Sequence, residues 1–561
     1  MKKLLTALTA LVSTAAPISA TVSCKKTEPA EGVLGQRVVL VTDGGNIRDH
    51  SFNEGSWEAI LQYGMNIHKK FGVQKEEEAR TLDYASSIGE NQWDDKNKDF
   101  GEINFEKAKL KNNSFVEARE GASASDFRNA YRTAASTKQA DALFLAGFKH
   151  ANTIDDAIKI MKGKTVVFLD FAYKAKNVIS IVYKSELAGF NAGWDALMWA
   201  NLPKMTSLNS GEFAPEVIEK SQAKKLNEIP VQGSIRGKNY VSIGMFGGLS
   251  NKNAVDNFLW GLLAAMNLYN NVMAGQTVKL TDVKGNEVEY TLQKVAFANG
   301  KGNESQRQNV NSIDGLGKVD WFSGNFEAGG ATRSTVMPKL FENEADIIFP
   351  VAGPQTNDVL NYKEGKGKNF KPYVIGVDAD QVTSIGDDRT GTNKRFITSA
   401  KKNIISASIY ALERAKSLQE AIVGDKKYDN SIYKDDIKDD NILDAVGADW
   451  SVSSSRSSKQ KWDAGTDKIT NSANLAVQSI NYEKENSKTI SDNLKSVLSE
   501  TGGEFNDYLN SNSLNNFVNQ AKDILGKDKK WTQLKLNDNG IAGIEDYINL
   551  LNQTNMQKNN K

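Results

Sequence analysis

From Arg37 onward, short, mostly apolar blocks alternate with longer stretches in which apolar residues recur every three or four positions. Val38–Val41, Ala142–Ala146, Val166–Leu169 and Val178–Val182 have the length and composition of strands buried on both faces. A second set follows at Val241–Met245, Trp321–Phe322, Ile347–Val351 and Val374–Val377. Helical spacing fills the intervals, over Ser56–Lys70, Glu186–Ala200, Ala254–Leu268 and Thr332–Glu342. Such alternation predicts βαβ units and parallel sheet. The polar stretch Asn201–Lys238 separates the two sets, so two α/β lobes are expected rather than one large sheet.

Other stretches fit neither pattern. Asp83–Ser123 is rich in Asn, Asp, Lys and Glu and reads as an insertion in a surface loop, as does the charged run Gly424–Asp440. The tail after Gly503 is Asn-rich, with helical patches at Leu514–Leu525 and Ile541–Leu551. At the other end, Lys2 and Lys3 precede a small, apolar run from Leu4 to Ala20, which reads as an export signal. Cys24, the one cysteine, follows it and resembles the lipobox cysteine of bacterial lipoproteins. In that class the thiol carries a diacylglyceryl group, and two or more acyl chains give stable anchoring. Lys25–Gln36 then reads as a tether. The alternative is a signal that is simply cleaved.

Composition removes several functions. Seventy Lys and Arg against 69 Asp and Glu leave a net charge of +1, with no footprint for nucleic acid. A single cysteine excludes a disulfide within the chain and any cysteine-based metal cluster, and three histidines without HExxH argue against a zinc hydrolase. No cofactor or metal is expected. No GxxxxGK[ST] occurs, so the chain is not an ATPase; "GSIRGKN" at Gly233 has the wrong spacing.

Open α/β sheets bind ligands beyond the carboxyl ends of their strands. Beyond the first block lie Asp43-Gly44-Gly45, Asp49, Ser51, Phe52 and Asn53. The second is followed by Gly147-Phe148-Lys149-His150-Ala151-Asn152, Ile347–Val351 by Ala352-Gly353-Pro354, and Val374–Val377 by Asp378-Ala379-Asp380. Glycines allow close approach, carboxylates accept protons from hydroxyl or amino groups, and Phe52 offers a flat face. A polar, ring-bearing, neutral solute suits that set. Each cluster also has a structural reading: Asp-Gly-Gly as a turn, Phe52 as core, Asp378 and Asp380 as a helix N-cap pair.

The order of "VTDGGNIRDHSFNEGSWEAI", "ADALFLAGFKHANTI", "VISIVYKSELAGFNAG", "IGMFGG", "SGNFEAGGA", "ADIIFPVAG", "VIGVDADQ" and "FITSAKKNIISASIYAL" resembles the basic membrane lipoprotein family, also called purine-nucleoside-receptor-like. Its members are substrate-binding lipoproteins of nucleoside ABC importers. The Asn and Lys richness and long insertions look like a mollicute version. The resemblance spans about residues 37–420, with a weaker extension to about 505.

It implies a type I periplasmic-binding-protein fold, two doubly wound parallel-sheet lobes joined by three crossing strands with a ligand cleft between. The implied division is a signal peptide (1–23), a tether (24–36), an N-terminal lobe (37–200 plus about 396–425), a C-terminal lobe (201–395 plus about 441–505) and an extension (506–561). Carried over by resemblance, Phe52 and Phe326 stack on the base, Asp43 and Asn152 bond its polar edge, Asp380 and Lys402 hold the ribose hydroxyls, and the Gly353 backbone lines the floor. Two departures stand out: Asn152 where the family has Asp, and Pro354, which removes an amide donor.

The implied protein is no enzyme. It is anchored on the extracellular face of the cell membrane through Cys24 and delivers a nucleoside, a purine one foremost, to an ABC permease driven by separate ATPase subunits. The alternatives are a nucleosidase built on Asp43 and Asp49, a binder of another solute such as a sugar, and a surface adhesin or antigen on the same fold.

Overall fold

The computed structural model describes residues 37–71, 114–299, 322–385 and 395–419, with short breaks, and the pieces 422–423, 426–427 and 534–535. The expected signal, Cys24, the tether and the stretch 441–505 lie outside the described residues, as does the extension apart from 534–535.

The first lobe is built on β1 (Val38–Thr42), β2 (Phe115–Val116), β3 (Ala142–Ala146), β4 (Thr165–Leu169) and β5 (Val178–Ile181). They pair in the order β2-β1-β3-β4-β5, every pair parallel. Alternate residues of β1 enter different cores, as the period of a strand dictates. Val38 and Leu40 pack with Trp57 and Ile60 of α1 (Phe52–Phe71), while Val39 and Val41 pack with Phe127 of α2 (Ala124–Arg132) and Met161 of α3 (Ile154–Met161). Helices therefore cover both faces, which is why the strands carry apolar blocks with no polar alternation.

The second lobe repeats the plan. Its strands are β6 (Ser242–Gly247), β7 (Ala296–Phe297), β8 (Ile347–Val351), β9 (Tyr373–Asp378) and β10 (Phe396–Lys401), paired in parallel in the order β7-β6-β8-β9-β10. Numbered within each lobe, both sheets read 2-1-3-4-5. Each reverses direction between its first and third strands, and that is where open sheets bind ligands. Of the expected strand at Trp321–Phe322, Trp321 lies outside the described residues and Phe322 makes one bridge, to Gly247. A hairpin of Thr277–Thr281 and Glu287–Thr291, whose exposed face breaks the apolar run, lies outside both sheets.

Two boundaries differ from expectation. Helix α4 (Ser185–Ala200), expected in the first lobe, packs in the second against α5 (Asn257–Leu268). At their crossing a Cβ on Gly189 would lie 2.2 Å from the Phe258 carbonyl oxygen, so only glycine lets the two backbones approach. Strand β10, also expected in the first lobe, completes the second sheet. Only after it does the chain return, as α6 (Ile404–Glu413), whose Ile404, Ala407 and Ala411 join the first lobe's core. The reason is packing: Phe190, Trp194, Leu197 and Trp199 of α4 fit the core that α5 and the second sheet share. Among the described residues the chain thus crosses between lobes after β5 and after β10.

Candidate functional site

Both sheets point the carboxyl ends of their strands at one cleft of about 620 Å³, lined from both lobes. That size falls within the ordinary range for small-molecule sites. The first lobe supplies Asp43 after β1, Phe148 and Lys149 after β3, and Asp170 after β4. The second supplies Val351 and Gly353 at the end of β8, Asp378 at the end of β9 and Lys402 after β10. Asp170 and Asp378 have positive φ (64° and 63°), the left-handed conformation that Asp tolerates better than most residues.

The β1 end is the most crowded. A Cβ on Gly147, where φ is 108°, would sit 1.9 Å from Asp43 Oδ2, so glycine is needed for the carboxylate to lie there. The Lys149 backbone N–H donates to Asp43. The turn that presents it is pinned from beneath by His150: Nε2 lies 3.1 Å from the Val41 carbonyl oxygen and Nδ1 2.8 Å from the Tyr131 hydroxyl. Burial drives the His150 pKa down to about 3, so the ring is neutral, donates to Val41 and accepts from Tyr131. Lys149 Nζ is held 2.7 Å from each oxygen of Glu120.

Burial pushes the Asp43 carboxyl up to about 7, against the opposing pull of the Lys149 ammonium. In an unfolded chain it titrates near 3.8. Its contribution to stability is therefore complete below that value and lost as pH rises through about 7. The ligand-free protein should lose Tm between pH 6 and pH 8, and Asp43→Asn should flatten that part of the profile. Parallel thermal melts check this; an unchanged slope in the variant contradicts it.

Asp49 does other work. Its oxygens accept from the backbone N–H of Ser51, Asn53 and Glu54 at 2.9, 3.0 and 3.0 Å, and from Asn53 Nδ2 at 2.9 Å. It caps the N-terminus of α1. A carboxylate engaged by four donors is poorly placed for acid–base work, which weakens the nucleosidase alternative.

The centre of the cleft holds an ion cluster that joins the lobes. Lys402 Nζ lies 2.8 Å from Asp170 Oδ2 of the first lobe, 3.2 Å from Asp378 Oδ1 and 3.2 Å from the Ala254 carbonyl oxygen. The rings of Phe52, Phe258 and Tyr183 surround it at 4.8, 5.3 and 5.6 Å. Ser51 Oγ donates to Asp378 Oδ2 across the cleft at 3.2 Å. At one edge Phe326 of the second lobe meets Phe148 edge-on, centroids 6.0 Å apart, with the Lys149 ammonium 5.1 Å from its own. Buried Gln355 fixes the Phe326 loop by donating to the carbonyls of Asn325 and Glu327 at 2.8 and 2.9 Å.

Of the residues carried over by resemblance, Asp43, Phe52, Phe326, Gly353 and Lys402 line the cleft, whereas Asn152 and Asp380 do not. Asn152 ends the 3-10 turn Phe148–Asn152 and is exposed, because that turn sends Phe148 and Lys149 to the cleft and His150 to the core. Asp380 stands two residues past the end of β9, and Asp378, at the strand end itself, takes the cleft position. Sequence reasoning missed Asp170 and Glu120 and named Lys149 only within the cluster that follows the second block. Asp170 was within reach, since it directly follows the block Val166–Leu169.

Two like lobes that set their switch points against one cleft define a two-lobed ligand-binding architecture, the type I periplasmic-binding-protein arrangement. No family model matches the chain. Over 262 residues it is 24% identical to the uncharacterized lipoprotein MG040 homolog of Mycoplasma pneumoniae, a match covering 46% of this chain and 38% of that relative. Among solved structures it is similar to an ABC transporter solute-binding protein from Aeropyrum pernix (14% identity, TM-score 0.37, 67% of this chain and 69% of that one). It is also similar to the 5-methylthioribose transporter solute binding protein from Thermotoga lettingae, solved with 5-methylthioribose (13%, 0.31, 71% and 83%). The strand order of the two sheets, rather than these overlaps, defines the fold. No helix among the described residues is long and apolar enough to cross a membrane, and no cluster of three or more metal-ligating side chains occurs among them.

Proposed function

We propose that the protein is the substrate-binding component of an ABC importer, anchored outside the cell membrane through Cys24. In this reading it captures a nucleoside, with a purine base, between its lobes and presents the closed form to a permease driven by separate ATPase subunits. The observation that carries the reading is the chemistry of the cleft walls. Phe52 and Phe326 come from opposite lobes, with Asp43, Asp170 and Asp378 set among them. Aromatic faces hold a flat heterocycle, at roughly 1–3 kcal/mol per stacked base. Carboxylates read hydroxyl and amino donors. Closure of the two lobes is a hinge motion of the kind such folds use.

The cleft's acceptors also suit a free sugar, which is the second reading, and one titration separates the two. Calorimetry of the full chain against adenosine, inosine, guanosine, uridine, adenine, ribose and glucose should give the tightest binding with a purine nucleoside. A ligand at a hundred times its Kd adds about 2.7 kcal/mol of stability, so thermal shifts report the same order. Binding of ribose or glucose with none of any nucleoside would replace this reading with the sugar one.

A further inference from the structure

We infer that Asp170 is a specificity-determining ligand contact whose free Oδ1 accepts a hydrogen bond from a sugar hydroxyl of the captured nucleoside, while Lys402 only positions it. This inference rests on the nucleoside reading above and shifts the work of sugar recognition from the ammonium to a carboxylate.

Lys402 is the saturated partner of the pair. An ammonium has three donors and no acceptor. Two of them are met by hydrogen bonds to Asp170 Oδ2 and the Ala254 carbonyl, at 2.8 and 3.2 Å, and the ammonium also faces Asp378 Oδ1 in an ion pair at 3.2 Å. With three rings packed around it, 4% exposure and a carboxylate on either side, the group is closed off from a solute. Asp170 is the opposite case. It is 3% exposed and lines the cleft, and its second oxygen, Oδ1, is buried with no hydrogen-bond partner. An unsatisfied buried acceptor of this kind is costly, and a ligand donor recovers that cost.

A second orphan acceptor points the same way. Asn53 lines the cleft and is 5% exposed; its Nδ2 is taken by Asp49, and its Oδ1 is unpartnered. Asp378 Oδ1, also without a hydrogen-bond partner, faces the Lys402 ammonium, so the two acceptors left to a solute ask for donors. Hydroxyls supply them and a phosphate does not; it would also bring negative charge up to Asp43, Asp170 and Asp378. The site therefore selects neutral nucleosides with an intact sugar and rejects nucleotides. Burial raises the Asp170 pKa to about 6 despite the neighbouring Lys402, so at pH 7.5 the carboxylate is ionised and a pure acceptor.

Calorimetry at pH 7.5 tests this on the full chain and on Asp170→Asn, which keeps the shape and loses the charge. The probes are adenosine, inosine and guanosine, then the 2′-, 3′- and 5′-deoxy forms and the 5′-monophosphate of whichever binds tightest. The wild type should prefer the intact nucleoside over at least one deoxy form by tenfold or more, and the variant should reduce that preference below threefold. The monophosphate should not bind the wild type.

An unchanged preference in a variant that still binds the nucleoside overturns the inference and leaves the nucleoside reading standing. If no nucleoside binds the wild type, both fall together. Should Asp170→Asn fail to fold, a crystal structure of the wild type with the tightest nucleoside decides. A hydroxyl within about 3.2 Å of Asp170 Oδ1 supports the assignment. A hydroxyl on Lys402 Nζ instead refutes it.

Discussion

Lys402→Met should cost the protein about 3–5 kcal/mol of stability, the usual penalty for removing one partner of a buried ion pair, and should abolish nucleoside binding. Lys402 is the one cation between two carboxylates, Asp170 of the first lobe and Asp378 of the second, and all three line the cleft. Met fills the same length and keeps the contacts to Phe52, Phe258 and Tyr183, so the loss isolates the charge. Without the ammonium, two nearby carboxylates face each other at low dielectric, and one must take up a proton or the lobes must part. Burial already raises Asp170 with the cation present. Denaturant titration of the ligand-free chain reads the first part and calorimetry the second. A midpoint equal to that of the wild type would mean that the cluster contributes no net stability.

Gly353→Ala should act on closure instead. A Cβ at Gly353 would lie 2.1 Å from Ser51 Oγ and 2.3 Å from Ser51 Cβ, on the opposite wall of the cleft. Ser51 has no long side chain to swing aside, and its hydroxyl also bonds Asp378. The added methyl is a wedge between the lobes. Overpacking of this kind costs about 1–3 kcal/mol, or roughly 5- to 150-fold in affinity. Only ligand-free molecules that keep the cross-lobe contacts bear that cost, so ligand-free thermal stability should fall by less than the affinity does. An affinity loss matched by an equal loss of ligand-free stability would place the strain inside one lobe.

The architecture was legible because it rests on burial of whole elements. Blocks such as Val38–Val41 and Ala142–Ala146 are apolar on both faces, and only a sheet covered on both sides makes that pattern. Strands too short for a pattern stayed hidden: Phe115–Val116 and Ala296–Phe297 are two residues each, yet they complete both sheets. The lobe boundaries were misjudged because periodicity says that α4 is a helix but not which sheet it covers.

The site was half legible. The strand-end rule reached Asp43, Gly353 and Asp378, and applied without exception it would have reached Asp170 as well. Asn152 and Asp380 lie off the cleft lining because residue type and spacing do not say which way a short turn faces. Lys149 reaches Glu120 only through a loop whose course no local pattern encodes. The two-body contacts across the cleft, Lys402 to Asp170 above all, join residues 232 apart in sequence.

The account's central claim is that a flat base lies between aromatic rings contributed by opposite lobes. Phe326 tests it more cleanly than Phe52, which is 9% exposed and part of the first lobe's core, whereas Phe326, on a loop, is half-buried and packs only at the edge of the second lobe's core. The measurement is the Kd of the tightest purine nucleoside for Phe326→Ala against the wild type, by calorimetry on the full chain. Loss of one stacking face predicts about 1–3 kcal/mol, a rise in Kd of roughly 5- to 150-fold. An unchanged Kd would mean that no base lies against that ring, and the claim would fail.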